Sequence, residues 1–173
     1  MFKTPGLSTL LRWARSVPAR PETGRRLLDD GHLVIVSPGG VREAISGRPR
    51  HYQLVWGRRL GFARLALSAG VDILPAFSEN VEEIYRSPLV HLRPFQELYE
   101  RTRWPLVPIV GLGALPFPVK VRTWIAPPVR HDPTDTPERL RDRTHAALTQ
   151  LMDERQGPRP RLPRALWQRV RGE

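Results

Sequence analysis

The stretch best suited to chemistry is Ser37-Pro38-Gly39-Gly40-Val41-Arg42-Glu43, which follows an apolar run, Leu33-Val34-Ile35-Val36. Two successive residues without side chains let a ligand approach backbone N–H groups, and the guanidinium of Arg42 suits bidentate binding of phosphate. The carboxyl end of a strand is also where open α/β sheets bind ligands. The competing reading is an ordinary turn, since Pro-Gly-Gly is common punctuation between elements.

Other candidates are weaker. Gly111-Leu112-Gly113 lacks the third glycine of a dinucleotide fingerprint and has Pro116 in its place. His32, His51, His91, His131 and His145 show no metal-ligand spacing, so no metal site is expected. No serine sits in a Gly-x-Ser-x-Gly elbow. His131-Asp132, just before Pro133, reads as a solvated loop pair rather than a catalytic one. Trp56, Trp104 and Trp124 could line an apolar groove, although packing in a core is the commoner fate of tryptophan. The chain has no cysteine, which removes disulfides, thiol catalysis, thiolate zinc sites and Fe–S clusters.

Lys and Arg number 28 against 17 Asp and Glu, a net charge of +11, and all but Lys3 and Lys120 are Arg. Such a field suits an anionic partner: nucleic acid, a phospholipid surface or a phosphorylated small molecule. GC-rich coding also produces arginine bias. No RNA-binding signature accompanies the charge, so a nucleic-acid partner is not expected. Arg12 and Arg15 interrupt Met1–Ser16 before an apolar core of signal-peptide length forms. The least charged stretch, Trp104–Val119, carries Pro105, Pro108, Pro116 and Pro118, too many helix breakers for a membrane span. Contact with a membrane surface stays open.

The elements that would position the glycine turn follow from hydrophobic period and punctuation. Helices are expected over Leu7–Arg15, Pro21–Asp30, Leu60–Ala69 and Val90–Arg103, with Gly31 and Gly70 as stops. Asn80 with Glu83 resembles a capping box opening another. Buried strands are expected over Leu33–Val36 and Val71–Phe77, the latter broken late by Pro75. Further strands are expected over Val107–Val110 and Val119–Ile125, the last alternating Val119, Val121 and Thr123 on one face with Lys120 and Arg122 on the other, as in a half-buried edge. The clearest helix has Thr136 as cap, Pro137 at its first position and a stripe of Leu140, Ala147, Leu148 and Leu151, ending near Gln156-Gly157. Beyond it the tail, with Pro158, Pro160, Pro163 and five Arg against one Glu, reads as poorly packed. At 173 residues one globular domain is expected, an α/β layered sheet with helices on both faces.

The run Leu33 to Ala44, followed by Trp56-Gly57-Arg58-Arg59-Leu60-Gly61-Phe62-Ala63, resembles the transmembrane protein 68 branch of glycerolipid acyltransferases. That branch is similar to the type-two diacylglycerol acyltransferases and, more distantly, to PlsC-like lysophospholipid acyltransferases. The likeness continues through Ala69-Gly70-Val71-Asp72-Ile73-Leu74-Pro75, Phe77-Ser78-Glu79-Asn80 and Phe117-Pro118-Val119-Lys120-Val121-Arg122-Thr123, covering most of residues 4 to 155. In the wider superfamily a Phe-Pro-Glu-Gly-Thr-Arg block grips the acyl acceptor. Pro38, Gly40 and Arg42 fall on it, Gly39 replaces its glutamate, and Glu43 follows the arginine. Gly61, with Arg59 nearby, resembles the glycine of the next block, and Pro75 the proline of the one after.

The resemblance implies a glycerol-3-phosphate acyltransferase-like fold and transfer of an acyl group from acyl-CoA to a glycerolipid hydroxyl. Diacylglycerol, monoacylglycerol or a lysophospholipid would be the acceptor, with no cofactor beyond the acyl-CoA co-substrate. Pro38, Gly39, Gly40, Arg42, Glu43, Arg59 and Gly61 are the implied substrate-binding residues. The family's base and its orienting aspartate lie in a His-x4-Asp block. Here the position five residues after each histidine holds Ser37, Trp56, Gln96, Thr136 and Gln150. No catalytic residue is therefore assigned, and the expectation is an N-terminally incomplete acyltransferase domain over 1–156, inactive as it stands, followed by a basic Pro/Arg-rich tail over 157–173. The alternative is a non-catalytic basic protein that binds membrane surfaces. Membrane association is expected, at the endoplasmic reticulum for a eukaryotic source and at the inner membrane or in the cytoplasm for a bacterial one.

Overall fold

The computed structural model describes residues 9, 13–40, 52–85, 110–112, 115–156 and 162–171. Among them are four helices and a two-stranded antiparallel sheet, so the class is mixed α/β. The expected layered sheet with helices on both faces does not appear among these residues. The expected Val90–Arg103 helix lies outside the described residues, as do most of the Leu7–Arg15 helix and of the Val107–Val110 strand.

Helix α1 is Pro21–Asp29, with its proline in the first turn where no intrahelical N–H is needed. It closes in a Schellman turn: the Gly31 N–H donates to Leu28 C=O at 3.0 Å and the His32 N–H to Leu27 C=O at 2.9 Å, with Gly31 at φ +78°. Helix α2, Gly61–Ala69, ends the same way at Gly70, φ +65°. The two helices lie so close at Gly24 that a Cβ there would come within 2.7 Å of Leu65 Cδ2.

Strand β1 is Ala76–Glu79 and β2 is Arg122–Ile125, paired antiparallel with Phe77 opposite Trp124. The expected strand over Val71–Phe77 is thus displaced, because Pro75 has no N–H to give a ladder and pairing resumes after it. Upstream, Ile73 exchanges both backbone hydrogen bonds with Val129, at 3.1 and 2.8 Å. Ala126 donates to Pro75 C=O at 2.9 Å, so Pro127 and Pro128 together oppose the single Leu74, as in a bulge. β2 alternates as expected, with Val121 and Thr123 exposed and Arg122 and Trp124 half-buried, while Val119 just upstream is buried. Trp124 sits on Phe77's side of the core, and strict alternation places its neighbours outward.

The supposed capping box at Asn80 fails for a conformational reason. Asn80 takes φ +59° and its side chain caps nothing; a single 3-10 turn, Val81–Glu83, follows. The expected strand Leu33–Val36 is also absent: it forms no ladder among the described residues, and three of its four side chains are exposed.

Helix α3, Pro137–Gln156, starts as its sequence requires, with Thr136 Oγ1 accepting from the Arg139 N–H at 3.2 Å. Its apolar stripe touches two clusters. Leu140 joins Ala63, Ala66 and Val129, and Leu151 with Met152 joins Phe77. Within the tail expected to be poorly packed, Leu162–Arg171 forms helix α4, which buries Ala165 and presents Gln168 to Glu79 and Asn80. Leu140 is 0% exposed, so Leu140→Ala should destabilise the chain by about 2–5 kcal/mol in urea unfolding, and a change below about 1 kcal/mol would contradict its place at the centre.

Candidate functional site

The glycine turn is built from three backbone contacts. The Gly40 N–H donates to Ser37 C=O at 3.1 Å, and Gly40 stands at φ +57°, where a side chain would be strained. Arg59 Nη1 donates to Pro38 C=O at 2.7 Å and also to Gly39 C=O. Because the peptide is planar and trans, a carbonyl aimed at Arg59 turns the following N–H the other way. The Gly40 amide is thereby spent on closing the turn. The Gly39 amide faces away from Arg59 and makes no hydrogen bond among the described residues.

Of the residues expected to bind substrate, Pro38, Gly39, Gly40 and Arg59 come together in this turn. Gly61 opens α2 two residues beyond Arg59, with open space where a Cβ would stand. Arg42 and Glu43 lie outside the described residues. The structure gives Arg59 a role that spacing did not suggest: its guanidinium clamps the turn's own carbonyls.

Arg59 is itself held from below. Its N–H donates to Trp56 C=O at 3.2 Å across a turn in which Gly57 has φ +56°, and Arg141 Nη1 of α3 reaches Gly57 C=O at 3.5 Å. Trp56 is 4% exposed, so it is a core residue and does not line a groove. It meets Phe62 of α2 edge-on at 5.1 Å and His145 of α3 at 5.2 Å. Trp124 is likewise engaged, with the Arg155 guanidinium 4.0 Å above its ring. Trp104 lies outside the described residues.

Two polar groupings escaped sequence reasoning. Asn80 donates from its backbone to Gln156 Oε1 at 2.9 Å and from Nδ2 to Lys120 C=O and Gln168 Oε1 at 3.0 and 2.9 Å, joining the strand ends to α3 and α4. Tyr52 donates through its hydroxyl to the buried Glu83 carboxylate; burial first, then this carboxylate, pushes the phenol's pKa well above its ordinary value.

His131 pairs with Asp72, not Asp132. Its backbone N–H and Nδ1 approach Asp72 Oδ1 at 2.9 and 3.0 Å. Asp132 instead accepts from Thr134 N–H and hydroxyl at 2.8 and 2.7 Å. A depression of about 670 Å³ along α3, bordered by His145, Thr149, Gln150 and Asp153, shares no residue with the glycine turn. No group of three or more potential metal ligands gathers among the described residues. None of the described helices is long and apolar enough to cross a membrane.

A family model described as diacylglycerol acyltransferase matches residues 1–155. The chain belongs to that family. It is 40% identical over 173 residues to the bovine "DGAT1/2-independent enzyme synthesizing storage lipids", covering 100% of this chain and 50% of that protein. The human protein of the same name is 42% identical over 156 residues, 90% of this chain and 46% of its own length. "Diacylglycerol O-acyltransferase 1" of fission yeast is 29% identical over 116 residues, 63% and 34% of the two chains. The chain thus spans about half the length of the curated relatives it matches most fully. No solved structure matches it significantly.

The Asp72 carboxyl is held below its ordinary value of 3.8, first by the His131 backbone N–H and then by the imidazole. A depressed carboxyl contributes stability that is complete above the unfolded value and lost as pH falls through the folded one. Melting temperature measured between about pH 2 and 6 should fall at the acid end, and Asp72→Asn should flatten that limb. Identical profiles for the two proteins would refute the pairing in solution.

Proposed function

We propose that the chain is the acceptor- and donor-binding portion of a glycerolipid O-acyltransferase that moves an acyl group from acyl-CoA to the hydroxyl of a diacylglycerol-type lipid. The family match over residues 1–155 is the observation that carries this reading, and relatives named for storage-lipid synthesis and diacylglycerol O-acyl transfer agree with it. On motif grounds the branch is transmembrane protein 68-like, within the PlsC-like superfamily and its layered α/β fold.

The chemistry sets what must be present. The acceptor oxygen attacks the thioester carbonyl, the new C–O bond forms, the C–S bond breaks, and the hydroxyl proton passes through a base to the leaving thiolate. The phosphates of acyl-CoA call for cationic groups and free amides. In this reading the Gly39 N–H and Arg42 supply them, Glu43 borders the acceptor, Arg59 holds the Pro38–Gly40 turn in shape, and Gly61 leaves room beside it. With glycine in place of glutamate at position 39, an acceptor without phosphate is accommodated. The base belongs to the His-x4-Asp block of the family, which none of the five histidines here supplies.

Residues 1–173 alone should therefore turn over at least about 100-fold more slowly than a protein that also carries that block. In such a complete protein, Arg42→Ala should lower kcat/KM for acyl-CoA and diacylglycerol by about 10- to 100-fold, the cost of one charged hydrogen-bonding group. Unchanged turnover by that variant would reject the assignment.

A second reading has its own observation. Helix α4 turns Trp167, 56% exposed, and Val170, 78% exposed, outward beside Arg169 and Arg171, as a helix lying on an anionic lipid surface does. In sedimentation with vesicles containing phosphatidylserine, Trp167→Ala combined with Val170→Ser should release the chain to the supernatant. Undiminished binding by that variant would exclude α4 as the contact.

A further inference from the structure

Residues 110–116, Val-Gly-Leu-Gly-Ala-Leu-Pro, carry no charged or polar side chain. Leu112 and Leu115 close a hairpin within this run: the Leu112 N–H donates to Leu115 C=O at 2.8 Å, and the Leu115 N–H to Leu112 C=O at 3.3 Å. Both side chains face outward, Leu112 being 57% and Leu115 68% exposed, with Val110 beside them at 45%. Gly111 permits the close approach of the two arms, since a Cβ there would overlap the Leu115 carbonyl and crowd the Tyr85 ring.

The hairpin is rooted in the fold close to α4. Two residues beyond Leu115, the Phe117 N–H donates to Ile84 C=O at 2.8 Å, and Ile84 ends the 3-10 turn Val81–Glu83. Asn80, at the start of that turn, holds Gln168 of α4, the helix that turns Trp167 and Val170 outward beside Arg169 and Arg171. A single short turn thus carries two outward-facing apolar elements.

The chemistry of the occupant follows from the backbone. All four N–H and C=O groups of Leu112 and Leu115 are paired with one another, so what the bridge offers a partner is aliphatic and non-directional. Hydrocarbon excludes backbone groups that lack a partner, and a closed hairpin enters it without that penalty. The net charge of +11 supplies the attraction to anionic headgroups that brings such a tip to a lipid surface.

We infer that the Leu112–Leu115 hairpin is a lipid-inserting finger, which places its two leucines below the headgroups of an anionic phospholipid bilayer. This deepens the second reading above, because α4 and the hairpin would meet one surface, and the two contacts can fail separately.

The test sediments residues 1–173 with vesicles of phosphatidylcholine and phosphatidylserine. Leu112→Ser combined with Leu115→Ser, which leaves the charge unchanged, should weaken binding at least about 10-fold, with the same melting temperature because both side chains face solvent. The chain has no cysteine, so Leu115→Cys carries a single environment-sensitive fluorophore. Its emission should shift to the blue on the vesicles and be quenched by lipids bearing a doxyl group on the acyl chain. The same label at Glu138→Cys, exposed in the first turn of α3, should stay aqueous. Trp167→Ala combined with Val170→Ser, run alongside, separates the contacts: if that variant alone is released, α4 stands and the finger is rejected. No vesicle binding by the wild type, undiminished binding by the double serine variant, a label at position 115 that stays aqueous, or a blue shift that appears without vesicles as a second copy associates would each overturn the finger.

Discussion

The arrangement depends on Trp56. Its indole is wedged edge-on between Phe62 of α2 and His145 of α3, and nothing else described here ties the Arg59 segment to the interior as firmly. Burying a ring of that size contributes several kcal/mol, far more than any exposed ion pair nearby. With Trp56 fixed, the Gly57 turn projects Arg59 in one direction, and Arg141 holds that turn from α3. The order of the glycine turn is thus inherited from the core through one backbone turn and one guanidinium.

A second constraint acts at the other end of α3. Gln156 and Asn80 are both buried, and each satisfies the other: the Asn80 amide donates to Gln156 Oε1, and Gln156 Nε2 approaches Asn80 Oδ1 at 3.4 Å. A buried amide left without a partner would cost about 1–3 kcal/mol, so the pair specifies how α3 meets the strands. Gln168 extends the same network into α4, which docks through hydrogen bonds and a single buried methyl, Ala165. That polar seam explains why the tail gives no apolar signal in the sequence.

What could be read from the residues was what local physics decides. The α3 start at Thr136-Pro137, its stripe through Leu140 and Leu151, and the left-handed stops at Gly31 and Gly70 need only capping, periodicity and the freedom of glycine at positive φ. Pro163 contributes to the expectation of a poorly packed tail, yet it stands in the first turn of α4, where the missing N–H costs nothing. Features set by distant neighbours were not legible. Asp72 and His131 are 59 positions apart and meet only because Ile73 pairs with Val129. Asn80 enters the left-handed region to deliver its amide to Gln156, which overrides the capping pattern with Glu83. For the candidate site, the glycine turn itself was evident from spacing, but the direction of Arg59 was not, since nothing in a sequence tells whether a guanidinium faces solvent or a carbonyl.

The direction of Arg59 fixes the shape of the turn before anything binds there. An arginine that points at two backbone carbonyls fixes the peptide planes of Pro38-Gly39 and Gly39-Gly40 together, and with them the orientation of the Gly39 N–H. The same planes terminate the exposed run that starts at Leu33. The conformational entropy of the turn has thus already been given up to the clamp. A turn held only by its glycines would lose that entropy on every encounter with a ligand, since glycine loses more freedom on ordering than any other residue. The guanidinium of Arg59 removes that loss before any ligand arrives.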